Sequence, residues 1–305
     1  MIRITISIAL VCILASCGKD LTSVKPVQGR IITDSLMIYQ SSNLAGNRGI
    51  FSKSFTTGDS ILLVANATAP YVASQRMVYI KAGKTIGYAK LNGVSRFLID
   101  FNAPTDPCLS IDARLIGVIE KTADQYQLIV LDTLGNNTIL YQSVTELKQP
   151  EFSADGKLIF LSQKTGEGNF TILSINVASG NPLQVIVPLA GADYTNATAI
   201  DERLYFLQTR VINGKFSTEV CSVALSGADF KMQTDYTLSW VKEGFKIDHL
   251  RKVDNSTLIF TSERDSNNKE IYVAKPENFL NIRRISFTAS DESYPNLVPD
   301  FVKDF

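Results

Sequence analysis

Residues 150–162 read Pro150-Glu151-Phe152-Ser153-Ala154-Asp155-Gly156-Lys157-Leu158-Ile159-Phe160-Leu161-Ser162. A short strand meets a turn in which Asp bonds its own backbone and Gly accepts a left-handed conformation, and a strongly apolar strand follows. The same phrase returns as Pro107-Cys108-Leu109-Ser110-Ile111-Asp112-Ala113-Arg114-Leu115-Ile116, as Thr198-Ala199-Ile200-Asp201-Glu202-Arg203-Leu204-Tyr205-Phe206, and as Val253-Asp254-Asn255-Ser256-Thr257-Leu258-Ile259-Phe260. Looser copies are Pro70-Tyr71-Val72 before Met77-Val78-Tyr79, and Asp34 before Leu36-Met37-Ile38-Tyr39.

The turn aspartates 112, 155, 201 and 254 stand 43, 46 and 53 residues apart. That is the period of about 40 to 50 residues expected of propeller blades, with one enlarged unit. Gly58, Gly93, Gly135, Gly180 and Gly227 keep a similar rhythm and mark a second turn. Between the two markers lies another hairpin, at Ala82-Gly83-Lys84, Gly166-Glu167-Gly168-Asn169, Asn213-Gly214 and Asp265-Ser266-Asn267-Asn268. Each unit therefore holds four short strands, and no stretch carries the 3.6-residue period of a long helix. Six apolar strands begin near Leu36, Met77, Leu115, Leu158, Leu204 and Leu258. The reading is an all-β, six-bladed propeller over residues 30–305; a sandwich would not repeat the same turns in the same order. Ring closure is expected from residues 294–298 against Leu36 to Ser41, with Arg30-Ile31-Ile32-Thr33 as competitor for that place.

The chain opens with one basic residue, Arg3, and an apolar run too short to span a bilayer, which predicts a signal peptide over residues 1–16. Leu14-Ala15-Ser16-Cys17 resembles a bacterial lipobox, so Cys17 is expected to carry lipid and begin the mature chain. Gly18-Lys19-Asp20 resembles a short export signal of some Gram-negative lineages. Residues 17–29 then form a polar tether, and the expected location is the outer membrane, at the cell surface or its periplasmic face.

Lys and Arg number 30, as do Asp and Glu, so no positive excess exists to bind a nucleic-acid backbone. With Cys12 removed and Cys17 lipidated, Cys108 and Cys221 remain, too few for a disulfide framework; they are expected to be unpaired.

Residues 150–162, together with Leu258 to Val273, Arg283-Arg284-Ile285-Ser286-Phe287 and Tyr294-Pro295-Asn296-Leu297-Val298-Pro299-Asp300, resemble the repeat of TolB-type propellers. The resemblance implies a scaffold for protein contacts in the envelope and transfers no catalytic residue. TolB carries an α/β domain ahead of its propeller; here the expectation is a short polar tether before the first strand.

Motifs for chemistry are sparse. Gly83-Lys84-Thr85 lacks the first glycine of a phosphate loop, since position 78 is Val. No Gly-x-Ser-x-Gly elbow occurs, and Lys269 stands where a calcium loop requires oxygen. His249, the single histidine, reads as a packed residue. Some six-bladed lactonases hold a metal in the central channel; Glu151, Asn196, Asp248 and Asn296 occupy comparable places and keep a metal-dependent hydrolase as the alternative. The leading expectation is a non-catalytic, lipid-anchored binding module with no cofactor and an envelope protein as partner; a purely structural envelope subunit is a third reading. Tyr236, Leu238 and Trp240 alternate in the enlarged unit and, with Phe245, are the candidate partner contacts. A strand there could equally bury them in the core.

Overall fold

The structure, a computed structural model, describes residues 36–42, 48–55, 57–91, 95–186, 189–234, 246–263, 268–276, 278–286 and 291–298. Cys17, the signal peptide, the tether, Arg30 to Thr33, Gly93 and the candidate contacts Tyr236, Leu238, Trp240 and Phe245 lie outside the described residues.

Six antiparallel sheets of four strands each are arranged in chain order. The first blade holds β1 (Leu36–Ser42), β2 (Arg48–Ser54) and β3 (Ser60–Ala65). The second holds β4 (Ala67–Ala73), β5 (Arg76–Lys81), β6 (Thr85–Lys90) and β7 (Ser95–Asp100). Next come β8 (Pro104–Leu109), β9 (Leu115–Lys121), β10 (Tyr126–Asp132) and β11 (Asn137–Ser143), then β12 (Leu147–Phe152), β13 (Leu158–Lys164), β14 (Phe170–Asn176) and β15 (Pro182–Ile186). The fifth blade is β16 (Ala192–Ile200), β17 (Arg203–Ile212), β18 (Lys215–Ala224) and β19 (Lys231–Met232). The sixth is β20 (Ile247–Asp254), β21 (Thr257–Ser262), β22 (Glu270–Lys275) and β23 (Asn278–Arg284), and β24 (Glu292–Leu297) returns to the first. The predicted six-bladed propeller is the fold observed.

The turn chemistry read from sequence is in place. Asp155 accepts hydrogen bonds from the Ser153 hydroxyl and the Lys157 amide, and Asp112 accepts the same pair from Ser110 and Arg114. Because each sheet is covered on both faces by neighbouring blades, its middle strands read as apolar runs: β21 is buried at every residue. The packing leaves no slack at Gly117, where a Cβ would stand 2.8 Å from Cys108 Sγ. Overpacking of that kind typically costs about 1–3 kcal/mol.

Cys108 on β8 and Cys221 on β18 are both fully buried, unpaired, and in separate parts of the core. Burial pushes both thiols up. A thiol reagent should therefore leave both unmodified in the native protein and modify both after denaturation without reductant; peptide mass analysis checks this.

The ring closes through β24, which pairs antiparallel with β1 from Met37 opposite Leu297 to Ser41 opposite Glu292. The last strand thus joins the first, as expected, and removes two free sheet edges. Deleting residues from Ser293 onward should lower the melting temperature of the whole domain in one cooperative transition, because β24 also packs on β4, β20 and β21. An unchanged melting temperature would remove the closure from the account of stability.

Candidate functional site

The innermost strands β4, β8, β12, β16, β20 and β24 surround the axis, and each contains one residue with a left-handed backbone. These are Ala69, Asp106, Gln149, Asn196, His249 and Tyr294, with φ between 47° and 56°. At each of them the pairing register with the neighbouring strand breaks. A non-glycine residue at positive φ is uncommon, and the same one in every blade is a built feature. Pro70, Pro107, Pro150 and Pro295 follow four of the six. Proline has no N–H to contribute to a ladder, so it suits a place where the ladder is already broken.

The bulge defines two rows of residues along the inner strands. The outer row consists of the six bulge residues; the inner row, two positions later, is Tyr71, Cys108, Glu151, Thr198, Arg251 and Asn296. Asp106, Gln149, His249 and Tyr294 are half-buried, whereas Tyr71, Cys108, Glu151, Thr198 and Asn296 are buried. The result is a small well of about 20 Å³, open at its mouth, walled by Asp106, Gln149, Asn196, His249 and Tyr294, with Glu151 and Arg251 at its floor.

The floor is a network of bonds between blades. The Tyr71 hydroxyl donates to Glu151 Oε1 at 2.9 Å, and the Thr198 hydroxyl donates to the same oxygen at 3.3 Å. Arg251 Nη1 donates to the Pro70 carbonyl at 2.9 Å and to Asn296 Oδ1 at 3.2 Å. Its guanidinium lies 4.7 Å from the centre of the Tyr71 ring and 5.5 Å from that of Tyr294. Burial raises the Glu151 carboxyl above its ordinary range, against the opposing pull of Lys252 and Arg251.

The wall is tied from blade to blade as well. The Gln149 backbone N–H donates to Asp106 Oδ2, the Asn196 backbone N–H donates to Gln149 Oε1, and the Tyr294 hydroxyl donates to Asp106 Oδ1. Burial raises the Asp106 carboxyl. The His249 ring lies 4.2 Å from that of Tyr294, and its Nδ1 meets the Thr261 hydroxyl at 3.2 Å. Burial, with Arg251 and Lys269 nearby, holds this imidazole down at about 3 against the pull of Asp248. It is neutral at neutral pH.

Of the four channel residues read from sequence, Asn196 stands in the wall, Glu151 at the floor and Asn296 beside it. Asp248 does not line the well: its carboxylate accepts from Lys269 Nζ at 2.6 Å. Asp106, Gln149, Arg251, Tyr71 and Tyr294 were not singled out from sequence; the recurring proline after the bulge was the available signal. His249 is packed, as expected, yet it also faces the well.

No protein-family model matches the chain, and no curated protein matches it. Solved structures do. TolB from Acinetobacter baumannii superposes with a TM-score of 0.68 at 10% identity, over 86% of this chain and 66% of that one. The fold is TolB-like. Putative TolB from Agrobacterium tumefaciens gives 0.58 at 13% identity, covering 82% of this chain and 87% of the other. An oligogalacturonate lyase in complex with manganese also gives 0.58 at 13% identity, over 82% and 73%. Among the described residues, no group of three or more His, Cys, Asp or Glu side chains is placed to hold a metal ion. In this TolB-like ring a guanidinium, that of Arg251, supplies positive charge beside Asp106 and Glu151.

Proposed function

We propose that the protein is a non-catalytic binding propeller, held at the bacterial envelope by lipid on Cys17, with the axial well as its recognition site. The well carries this reading: half-exposed polar side chains stand over a floor whose ionisable groups are spent in bonds between blades. Acid–base catalysis needs a group free to take or give a proton at the reacting atom. Glu151 accepts two hydroxyl bonds and faces two cations, Asp106 accepts from the Gln149 backbone amide and the Tyr294 hydroxyl, and His249, held down at about 3, is a weak base bonded to Thr261. What the wall offers instead is the half-buried Gln149 side chain beside the His249–Tyr294 ring pair; such groups suit a neutral polar segment laid across the mouth of a well too small to admit it. The likeness to TolB structures supports a binding role on the same scaffold.

The test is a tagged pull-down from cross-linked membranes, comparing the native protein with the Gln149→Ala/Asn196→Ala variant. The variant also loses the bond between blades at Gln149 Oε1, so some fall in melting temperature is expected; loss of a partner by the variant while it remains folded supports the well, and undiminished recovery moves recognition elsewhere. One stoichiometric divalent ion in the purified protein, found by elemental analysis, would replace this reading with the metal-dependent hydrolase.

Cys17→Ser should move the protein from the membrane pellet to the soluble fraction in a high-salt wash. Persistence in the pellet, with no acyl mass on the native N-terminal peptide, removes the anchor.

A further inference from the structure

The hairpin of β17 and β18 outreaches its own sheet. Pairing of β17 with β16 ends at Arg210 opposite Ala192, while pairing with β18 continues through Val211 opposite Phe216 to Ile212 opposite Lys215. Two rungs therefore stand free beyond the inner strand, about 7 Å at 3.4 Å per residue. Val211 and Phe216, directly opposed and hence on one face, are each 58% exposed. Antiparallel order puts this tip at the end of the ring where the inner strands begin, and Lys246, just before β20, confirms it: its ammonium lies 5.6 Å from the Phe216 ring centre. The connections into β12 and β16 reach the same end, and they expose Val144 at 84% and Leu189 at 55%. Lys215 and Lys246 are exposed, whereas Glu219, the carboxylate of the hairpin, is buried against Arg210.

We propose that this end of blades 4 and 5 is a docking surface for an anionic lipid bilayer, with the β17–β18 tip inserted at the headgroup level and Lys215 and Lys246 beside the phosphates. At the tip itself the charge is complementary: the exposed groups beside Phe216 are Lys215 and Lys246, each worth a modest attraction near an anionic surface, and exposed Glu167 stands on the neighbouring turn of blade 4. The reach matches the 5–10 Å to which interfacial elements enter a bilayer. A protein partner needs roughly 800 Å² of matched surface on each side, more than a two-stranded tip presents. A bilayer needs no matched surface, and one plane can touch loop tips that share an end. The contact is small; it orients a domain already tethered rather than holding it alone.

The experiment uses the chain from Gly18 onward, which carries neither the apolar run of residues 1–16 nor an acyl group, so that its outcome is independent of the lipid anchor. Binding is measured by co-sedimentation with vesicles of equal parts phosphatidylcholine and phosphatidylglycerol, and with vesicles of phosphatidylcholine alone. The expected result is a preference for the anionic vesicles, reduced about tenfold or more by Val211→Ser/Phe216→Ser, and about fivefold by each of Lys215→Glu and Lys246→Glu. Melting temperatures of the variants should match the parent, since these side chains are exposed. Equal binding to both vesicles, or variants that bind like the parent, overturns the proposal. So does a lowered melting temperature in both the apolar and the lysine variants, which would make the tip structural. Loss of a protein partner with vesicle binding intact would assign the tip to that partner instead.

Discussion

Replacing Arg251 with alanine should destabilise the propeller by about 3–5 kcal/mol, the range for removing one partner from a buried charged network. Arg251 ties the sixth blade to two others: its guanidinium bonds the Pro70 carbonyl in the second and Asn296 in the first, and lies against Tyr71 and Tyr294. Its loss leaves Glu151, buried and bonded only by hydroxyls, with Lys252 as the remaining cation. Arg251→Lys keeps the charge but neither the planar fork nor the stacking, so it should recover only part of the loss. Glu151→Gln in the alanine background should recover more, because it removes the stranded charge. Urea unfolding of the four proteins checks the order; a loss below about 1 kcal/mol for Arg251→Ala would show that the floor is not a keystone.

Acidification from neutral pH toward 4 should weaken the fold, with His249 as a principal cause. Its folded value, about 3, lies below the ordinary 6.5, so between the two the unfolded chain holds the extra proton. The stabilisation is complete above about 6.5 and is lost as pH falls toward 3, at up to about 1.4 kcal/mol per pH unit. Asp106 and Glu151 act in the opposite sense. Their folded values are raised, so the native state takes up their protons first and gains from acid in that window, offsetting part of the loss. His249 is the single histidine, so one pair of imidazole resonances reports its titration. It should remain neutral at pH 5. A midpoint near 6.5 would refute the buried, neutral imidazole. His249→Asn tolerates the left-handed backbone at this position and should flatten the pH dependence of the melting temperature.

The blade plan was legible in the chain because each blade is made by local interactions. Ser153, Asp155 and Lys157 close their turn within five residues, and the apolar run of β13 follows at once. A repeat of such units announces itself by its period; the pairing of β24 with β1 is expected from it only with Arg30 to Thr33 as a competitor, and the structure gives the pairing itself. The 53-residue spacing from Asp201 to Asp254 marks the fifth unit as enlarged, but spacing alone does not place extra residues in the β17–β18 hairpin.

The well was only partly legible. Glu151, Asn196 and Asn296 can be named from their places in the repeat, comparable to the channel residues of some six-bladed lactonases, and Asp248 on the same ground, although its carboxylate turns to Lys269. What the sequence by itself determined is the six-bladed, four-stranded architecture, its turns and its unpaired cysteines, since strand alternation and turn chemistry act over a few residues. What only the tertiary structure decided is which side chains meet on the axis. Arg251 and Pro70 are 181 residues apart, and Asn296 and Pro70 are 226 apart. Closing the ring brings them within hydrogen-bond distance, and the left-handed bulge in each inner strand then aims them at one another. Contacts set by closure of a whole ring leave no short-range pattern in the chain.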